Sequence, residues 1–132
     1  LVARFHVDTD FLVYALATTG PERMRLRALA ETDAVLEVSA IAWYELCRGP
    51  RTPEQVAVAR LLFGEDRGVP FTEDLADKAA DHFRRLGSPR RRAADIAVAV
   101  SAVHRGAVLL TRNARDFSEV EGLVVEEPAG RS

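Results

Sequence analysis

The sequence predicts a three-layer α/β fold with a mostly parallel central sheet of four to five strands, and three observations predict it. Short apolar runs alternate with longer segments of helical period along the whole chain, the pattern of strands joined by helical crossovers. The 132 residues suit one domain large enough to bury a core without disulfides or structural zinc. The first apolar run also stops abruptly in carboxylates at Asp8 and Asp10 and passes at once into a helix-like segment. That junction is the carboxyl end of a strand, where open parallel sheets place their ligands.

Residues 2–7, ending in Phe5-His6-Val7, read as a buried strand, and Phe11 to Ala17 as a packed helix. Gly20-Pro21 punctuates, with Pro21 suited to the first helical position, and a second helix carries Met24, Leu26, Ala28, Leu29 and Ala30 with arginines between them. Val35 to Ser39 is the second strand, running directly into a helix from Ala40 that Gly49-Pro50 stops. Thr52-Pro53-Glu54-Gln55 forms a capping box that opens an apolar helix to Phe63. Val69-Pro70-Phe71 is a very short third strand, placed at an edge or strand end by its proline. Thr72 caps a helix whose first turn holds Glu73 and Asp74 and which runs to Leu86. Asp77, Asp81 and His82 on it read as a solvated face. After an arginine cluster, Ala94 to Val103 form a strongly apolar helix with Asp95 at its start. Val108-Leu109-Leu110 is the fourth strand, residues 111–117 a loop or short helix, and Leu123-Val124-Val125 the last strand. One domain over residues 1–127 and a flexible tail over 128–132 follow.

Composition narrows the function classes. No apolar run approaches the roughly 18–20 residues that cross a bilayer, and the single Cys47 allows no internal disulfide, in keeping with a reducing cytoplasm. Its apolar helical setting predicts a buried structural thiol. A net charge of −2 argues against a generally basic nucleic-acid binder, but Lys78 is the only lysine among 18 basic residues. Arginines cluster at Arg84, Arg85, Arg90, Arg91 and Arg92, and again at Arg112 and Arg115. Guanidinium groups grip phosphate bidentately, so Arg90–Arg92, Arg112 and Arg115 are the candidate nucleic-acid contacts. A plain solvated face is the competing reading.

Four acids share one structural description. Asp8 follows strand one, Glu45 lies on the helix after strand two, Asp95 opens the helix before strand four, and Asp116 follows strand four. If those strands are neighbours, the side chains converge on one end of the sheet. Crowded carboxylates repel and raise one another's proton affinity, a cost that divalent cations relieve. Oxygen donors without a His or Cys cluster favour Mg²⁺ or Mn²⁺ over zinc. Such a site suits phosphodiester hydrolysis. His6 and His104 read as packing or surface residues.

At these residues the chain resembles a known family. Val7-Asp8-Thr9-Asp10-Phe11-Leu12-Val13, Ser39 through Glu45 to Gly49, Asp95-Ile96-Ala97-Val98-Ala99, and Leu110 through Asp116 to Phe117 resemble PIN-domain ribonucleases, most of all the toxins of VapBC-type toxin-antitoxin systems. The resemblance implies a PIN-like fold, and Asp8, Glu45, Asp95 and Asp116 as catalytic acids that bind Mg²⁺ or Mn²⁺. It also implies RNA as substrate, a homodimer, and a cognate antitoxin whose tail occupies the active-site groove. Thr9, Asp10, Thr111 and Asn113 are the supporting groups. Many relatives carry Asn where this chain has Asp10, and the sequence leaves open whether Asn113 or Asp116 lies nearer the ion. The expected reaction is in-line attack of water on phosphorus, positioned by Glu45 or Asp116, leaving 5′-phosphate and 3′-hydroxyl ends without a protein nucleophile.

Two alternatives stand beside this reading. One is a catalytically silent PIN-fold interaction module. The other is a haloacid-dehalogenase-like phosphatase using Asp8 as nucleophile, which would need a downstream lysine that only Lys78 could supply.

Overall fold

The computed structural model describes residues 2–64 and 68–128. Five strands, β1 (Arg4–Val7), β2 (Val35–Ser39), β3 (Gly68–Val69), β4 (Val108–Leu110) and β5 (Val124–Glu126), form one sheet in the order β3-β2-β1-β4-β5. Every pairing is parallel. From β1 the chain moves outward through β2 to β3, then returns past β1 to lay down β4 and β5. The order reverses between β1 and β4, and the crevice beyond their carboxyl ends is where such sheets bind ligands.

Among the described residues, six α-helices connect the strands: α1 (Thr9–Ala17), α2 (Pro21–Ala30), α3 (Ala40–Arg48), α4 (Pro53–Phe63), α5 (Glu73–Arg85) and α6 (Ala93–His104). Register places Phe5, Leu36 and Val108 side by side on one face of the sheet and His6, Glu37 and Leu109 on the other. The Arg25 guanidinium of α2 lies 5.7 Å from the Phe5 ring centroid, so α2 covers the first face. Arg105, at the end of α6, reaches Glu37, so α6 covers the second. The outcome is the expected three layers.

Local chemistry sets most element ends. Ser39 Oγ accepts from the Ile41 amide to start α3, and Thr72 Oγ1 accepts from the Leu75 amide to start α5. The capping box at α4 is complete, with Thr52 and Gln55 exchanging side-chain to backbone bonds. The 69–71 strand is corrected to Gly68–Val69, because Pro70 has no N–H to extend the ladder with β2. The last strand is displaced by one residue and includes Glu126, which pairs with Leu110 in the ladder and receives two bonds from Arg25 at 2.7 and 3.0 Å. Cys47 is exposed rather than buried. Ala42 and Leu46, four residues apart, take the inward positions of α3, and Cys47 lies about 100° round the helix from Leu46. Pro128, the first residue of the expected tail, is buried, and residues 129–132 lie outside the described residues. No described helix is long and apolar enough to cross a membrane.

A buried acid that sequence reasoning passed over lies in the middle of the sheet. Glu37 is 2% exposed and accepts from Arg4 at 2.9 Å, from Arg105 at 2.5 Å and from His6 Nε2 at 3.0 Å. A carboxylate only accepts, so His6 carries its proton on Nε2. Burial alone would raise the Glu37 pKa, but the Arg105 bond, with His6 and Arg4, outweighs it and holds the pKa below the usual carboxylate range. Burial likewise lowers the His6 pKa against the pull of Glu37, leaving two guanidiniums to balance one carboxylate. Glu37→Gln is expected to lower folding stability by about 2–3 kcal/mol in a urea melt, less than the roughly 3–5 kcal/mol of a fully buried pair because both arginines keep contact with water.

Candidate functional site

The first acid of the motif caps a helix and closes a strand end at once. Asp8 is 6% exposed. Its amide donates to the Leu110 carbonyl at 2.9 Å, locking β1 to β4 at the point where the strand order reverses. Its Oδ1 accepts from the Thr9 amide at 2.9 Å and its Oδ2 from Thr111 Oγ1 at 3.0 Å. Thr111, fully buried, also accepts from the Asn113 amide at 3.1 Å, so the loop after β4 is tied to the same carboxylate. On the other side, Thr9 Oγ1 donates to Glu45 Oε1 at 3.0 Å. The residues after β1 therefore fix one acid on the β4 side and orient a second on α3.

The acids meet as expected. Asp8, Asp10, Glu45, Asp95 and Asp116 line one open cavity of about 530 Å³, together with Thr9, Asn113, Val13 and Phe117. Asp95 projects from the first turn of α6, and Asp116 from a short 3₁₀ turn over Ala114–Phe117. Asp10, whose place was open from sequence, is exposed and lines the same cavity. Burial, the Asp95 charge and, to a lesser degree, Asp10 push the Asp8 pKa up to about 7 against the opposing bonds from Thr111 and Thr9. Burial and the charges of Glu45, Asp116 and Asp10 push Asp95 up to about 6, with Arg92 opposing.

The donor set fits a hard divalent ion. Every acidic side chain lining the cavity offers carboxylate oxygens, neither His nor Cys takes part, and the burial and mutual repulsion that raise the proton affinities of Asp8 and Asp95 are costs that a cation would offset. Among the described residues, no three acidic, His or Cys groups already stand as one set of ligands. Two of the acids are turned to hydroxyl and amide donors instead.

The arginines sort differently from the sequence reading. Arg112 bonds Glu22, itself 3% exposed, at 3.2 Å and lies 3.4 Å over the Tyr14 ring centroid. Arg92 donates to the Asp116 carbonyl and pairs with Glu119 at 3.5 Å. Arg90, Arg91 and Arg115 are exposed, and none of these five lines the cavity. Beside the helix-ending Gly49, the cavity holds Arg48 and Arg51 instead, which sequence reasoning left without a role. Helical spacing from Glu45 could have flagged Arg48, which lies three residues on and 3.7 Å from it. Lys78 pairs with Asp74 at 3.1 Å and contacts His104 at 3.3 Å, away from the Asp8 cavity, so the lysine that a phosphatase built on Asp8 would need is absent from it.

The family model described as PIN domain matches residues 6–123, nearly the whole chain. The chain belongs to the PIN domain family. Solved structures agree on the fold. A DNA-bound VapBC from Salmonella typhimurium is 22% identical with a TM-score of 0.74, covering 96% of this chain and 98% of that one. VapBC2 from Rickettsia felis, bound to a promoter DNA fragment, gives 17%, 0.73, 94% and 98%, and FitAcB from Neisseria gonorrhoeae 22%, 0.68, 92% and 95%. No curated protein matches the chain. In this PIN domain the acid-lined cavity lies where the order of the parallel strands reverses.

Two outcomes follow for the metal-free protein. Asp8 has a folded pKa of about 7 against an ordinary 3.8, so its contribution to stability is full below about pH 4 and lost as pH rises through 7. Asn cannot ionise and can keep both bonds. Asp8→Asn should therefore exceed the native chain in stability at pH 8 by about 2–4 kcal/mol, with the gap closing towards pH 4–5, as urea melts in EDTA would read. Arg112→Ala should cost about 1–3 kcal/mol in the same melts, because it leaves Glu22 buried and unpaired.

Proposed function

We propose that this PIN domain is a metal-dependent endoribonuclease that acts as the toxin of a VapBC-type toxin-antitoxin pair. The observation that carries the nuclease reading is the convergence of Asp8, Glu45, Asp95 and Asp116 on one open cavity at the sheet's switch point. Family membership supports it. The likeness in fold to the VapBC toxin-antitoxin complexes supports the toxin role and an antitoxin as partner.

Asp8, Glu45, Asp95 and Asp116 would hold Mg²⁺ or Mn²⁺. Such an ion, when bound, supplies Lewis acidity and makes water a nucleophile near neutral pH. The chain's own residues do the rest. Asp8, clamped by Thr111 and the Thr9 amide, presents a fixed oxygen at the floor of the cavity. Glu45, oriented by Thr9, and Asp116, on the facing turn, position water for in-line attack on phosphorus. The P–O3′ bond breaks, leaving 5′-phosphate and 3′-hydroxyl ends. Asn113, whose amide is anchored to Thr111, borders the cavity and supplies a neutral polar group towards the substrate.

An antitoxin would have two surfaces to cover. One is the acidic cavity; the other is an apolar groove of about 350 Å³ lined by Leu12, Leu16 and Leu26 of α1 and α2 and by Val58 and Leu62 of α4. The homodimer belongs to the same reading, with exposed Tyr44 and Leu61 as available apolar surface; light scattering on the purified protein tests it.

The deciding experiment incubates the protein with end-labelled RNA and DNA oligonucleotides in Mg²⁺, Mn²⁺ or EDTA. RNA cleavage with 5′-phosphate products should require the ion, and Asp8→Asn and Asp95→Asn should each lose at least about 100-fold in rate. Saturating Mn²⁺ at 100 times its Kd should stabilise the native chain by about 2.7 kcal/mol in a thermal melt, and Asp8→Asn should lose most of that gain. Metal-independent cleavage, or no cleavage of any oligonucleotide, would overturn the reading.

A further inference from the structure

Among the described residues, five carboxylates line the cavity, and the cations lining it are Arg48 and Arg51. They differ in how they are held. Arg48 is engaged on its own helix, 3.7 Å from Glu45 and 5.5 Å over the Tyr44 ring. Arg51 is not. Its guanidinium forms no hydrogen bond or ion pair with any described residue, and its Nε is buried without a partner. A guanidinium with five donors in a fixed fork, half-buried beside carboxylates it does not bond, lacks the acceptor its geometry suits.

The backbone holds it there. The Arg51 amide donates to the Gly49 carbonyl at 2.8 Å across Pro50, which turns the chain back sharply after α3. The guanidinium then packs against Gly49, where an added Cβ would stand 2.9 Å from its Nη2. Gly49 has a negative φ, so its use here is room for that side chain rather than an unusual backbone.

We propose that Arg51 is a substrate-binding residue that grips a backbone phosphate of single-stranded RNA on the Glu45 side of the cavity, next to the phosphate that is cut. The proposal rests on the nuclease reading and refines it: the phosphate grip belongs to the turn after α3, while Arg92 before α6 and Arg112 after β4 are already held by other acceptors. A nucleic-acid phosphate is favoured over a partner's carboxylate because a nucleic-acid backbone offers acceptors in series, along which one can meet Arg51 while its neighbour lies over the acids.

The test measures Michaelis parameters in Mn²⁺ and, separately, metal-free binding of a labelled single-stranded RNA to the Asp8→Asn protein by fluorescence anisotropy across a salt series. Adding Arg51→Ala should raise KM and Kd about tenfold with a smaller change in kcat, and flatten the slope of log Kobs against log salt by about 0.7, the value for one phosphate contact on a single strand. Arg51→Lys should keep the salt slope while recovering only part of the affinity, since a point charge replaces a fork. Gly49→Ala should weaken binding in the same direction by displacing the guanidinium. Arg84→Ala, which removes one surface charge on α5, controls for net charge. A native chain that cleaves RNA while Arg51→Ala matches it in KM, Kd and salt slope overturns this proposal alone, and so does an Arg51→Ala protein that loses only affinity for a protein partner. A native chain that neither cleaves nor binds RNA overturns the nuclease reading with it.

Discussion

Everything at the working end of this molecule depends on keeping mutually repelling carboxylates in one place. Asp8, Asp10, Glu45, Asp95 and Asp116 come from four separate stretches of chain and face one cavity, and burial together with their own charges raises the proton affinity of Asp8 and Asp95. Repulsion of that kind would splay flexible loops. It is withstood here because the acids sit on regular structure or one turn from it, and because two threonines brace them. Thr111, at the end of β4, holds Asp8, and Thr9, at the start of α1, holds Glu45. Each hydroxyl bridges elements far apart in sequence, so the bracing also ties β1, β4 and α3 together around the cavity.

The same chain shows what an acid looks like when its purpose is cohesion. Glu37 is as buried as Asp8, yet its pKa falls where that of Asp8 rises. The difference is supply of donors: two guanidiniums and an imidazole converge on Glu37, whereas Asp8 receives one hydroxyl and one amide and faces other anions. A compensated carboxylate stitches β1, β2 and the end of α6 together. An uncompensated one marks a site that a proton or a cation would stabilise.

Much of this was legible in the sequence because it depends on period and junction. The alternation of short apolar runs with helical stretches gave the layers. The acids at strand ends, read as a set, gave the end of the sheet where they meet. What escaped depends on contacts across the sequence. Glu37 looks like any polar residue in a strand until β1 brings Arg4 and His6 beside it and α6 delivers Arg105. Arg112 looks like a phosphate contact beside Asp116, but Glu22, ninety positions away in the chain, has already claimed it. Cys47 faces solvent while Leu46 faces the core, a choice that a mixed helical stretch does not reveal for two adjacent residues.

Arginine is the residue type on which sequence and structure part most clearly, and the reason is general. Clustering in sequence measures how many guanidiniums are near one another in the chain, while binding depends on how many are left without an acceptor once it has folded. Arg4, Arg25, Arg105 and Arg112 are held by acids, and Arg92 by a backbone carbonyl and Glu119. These bonds hold strands to helices and the loop after β4 to α1 and α2. Arg51, isolated in sequence behind a Gly-Pro turn, keeps its donors beside the acids. In a protein whose net charge is −2, attraction for a polyanion cannot come from the molecule as a whole. On the proposed nuclease reading it would come from local cations such as Arg51 at the cavity, so that their placement, rather than their number, decides where a phosphate backbone can lie.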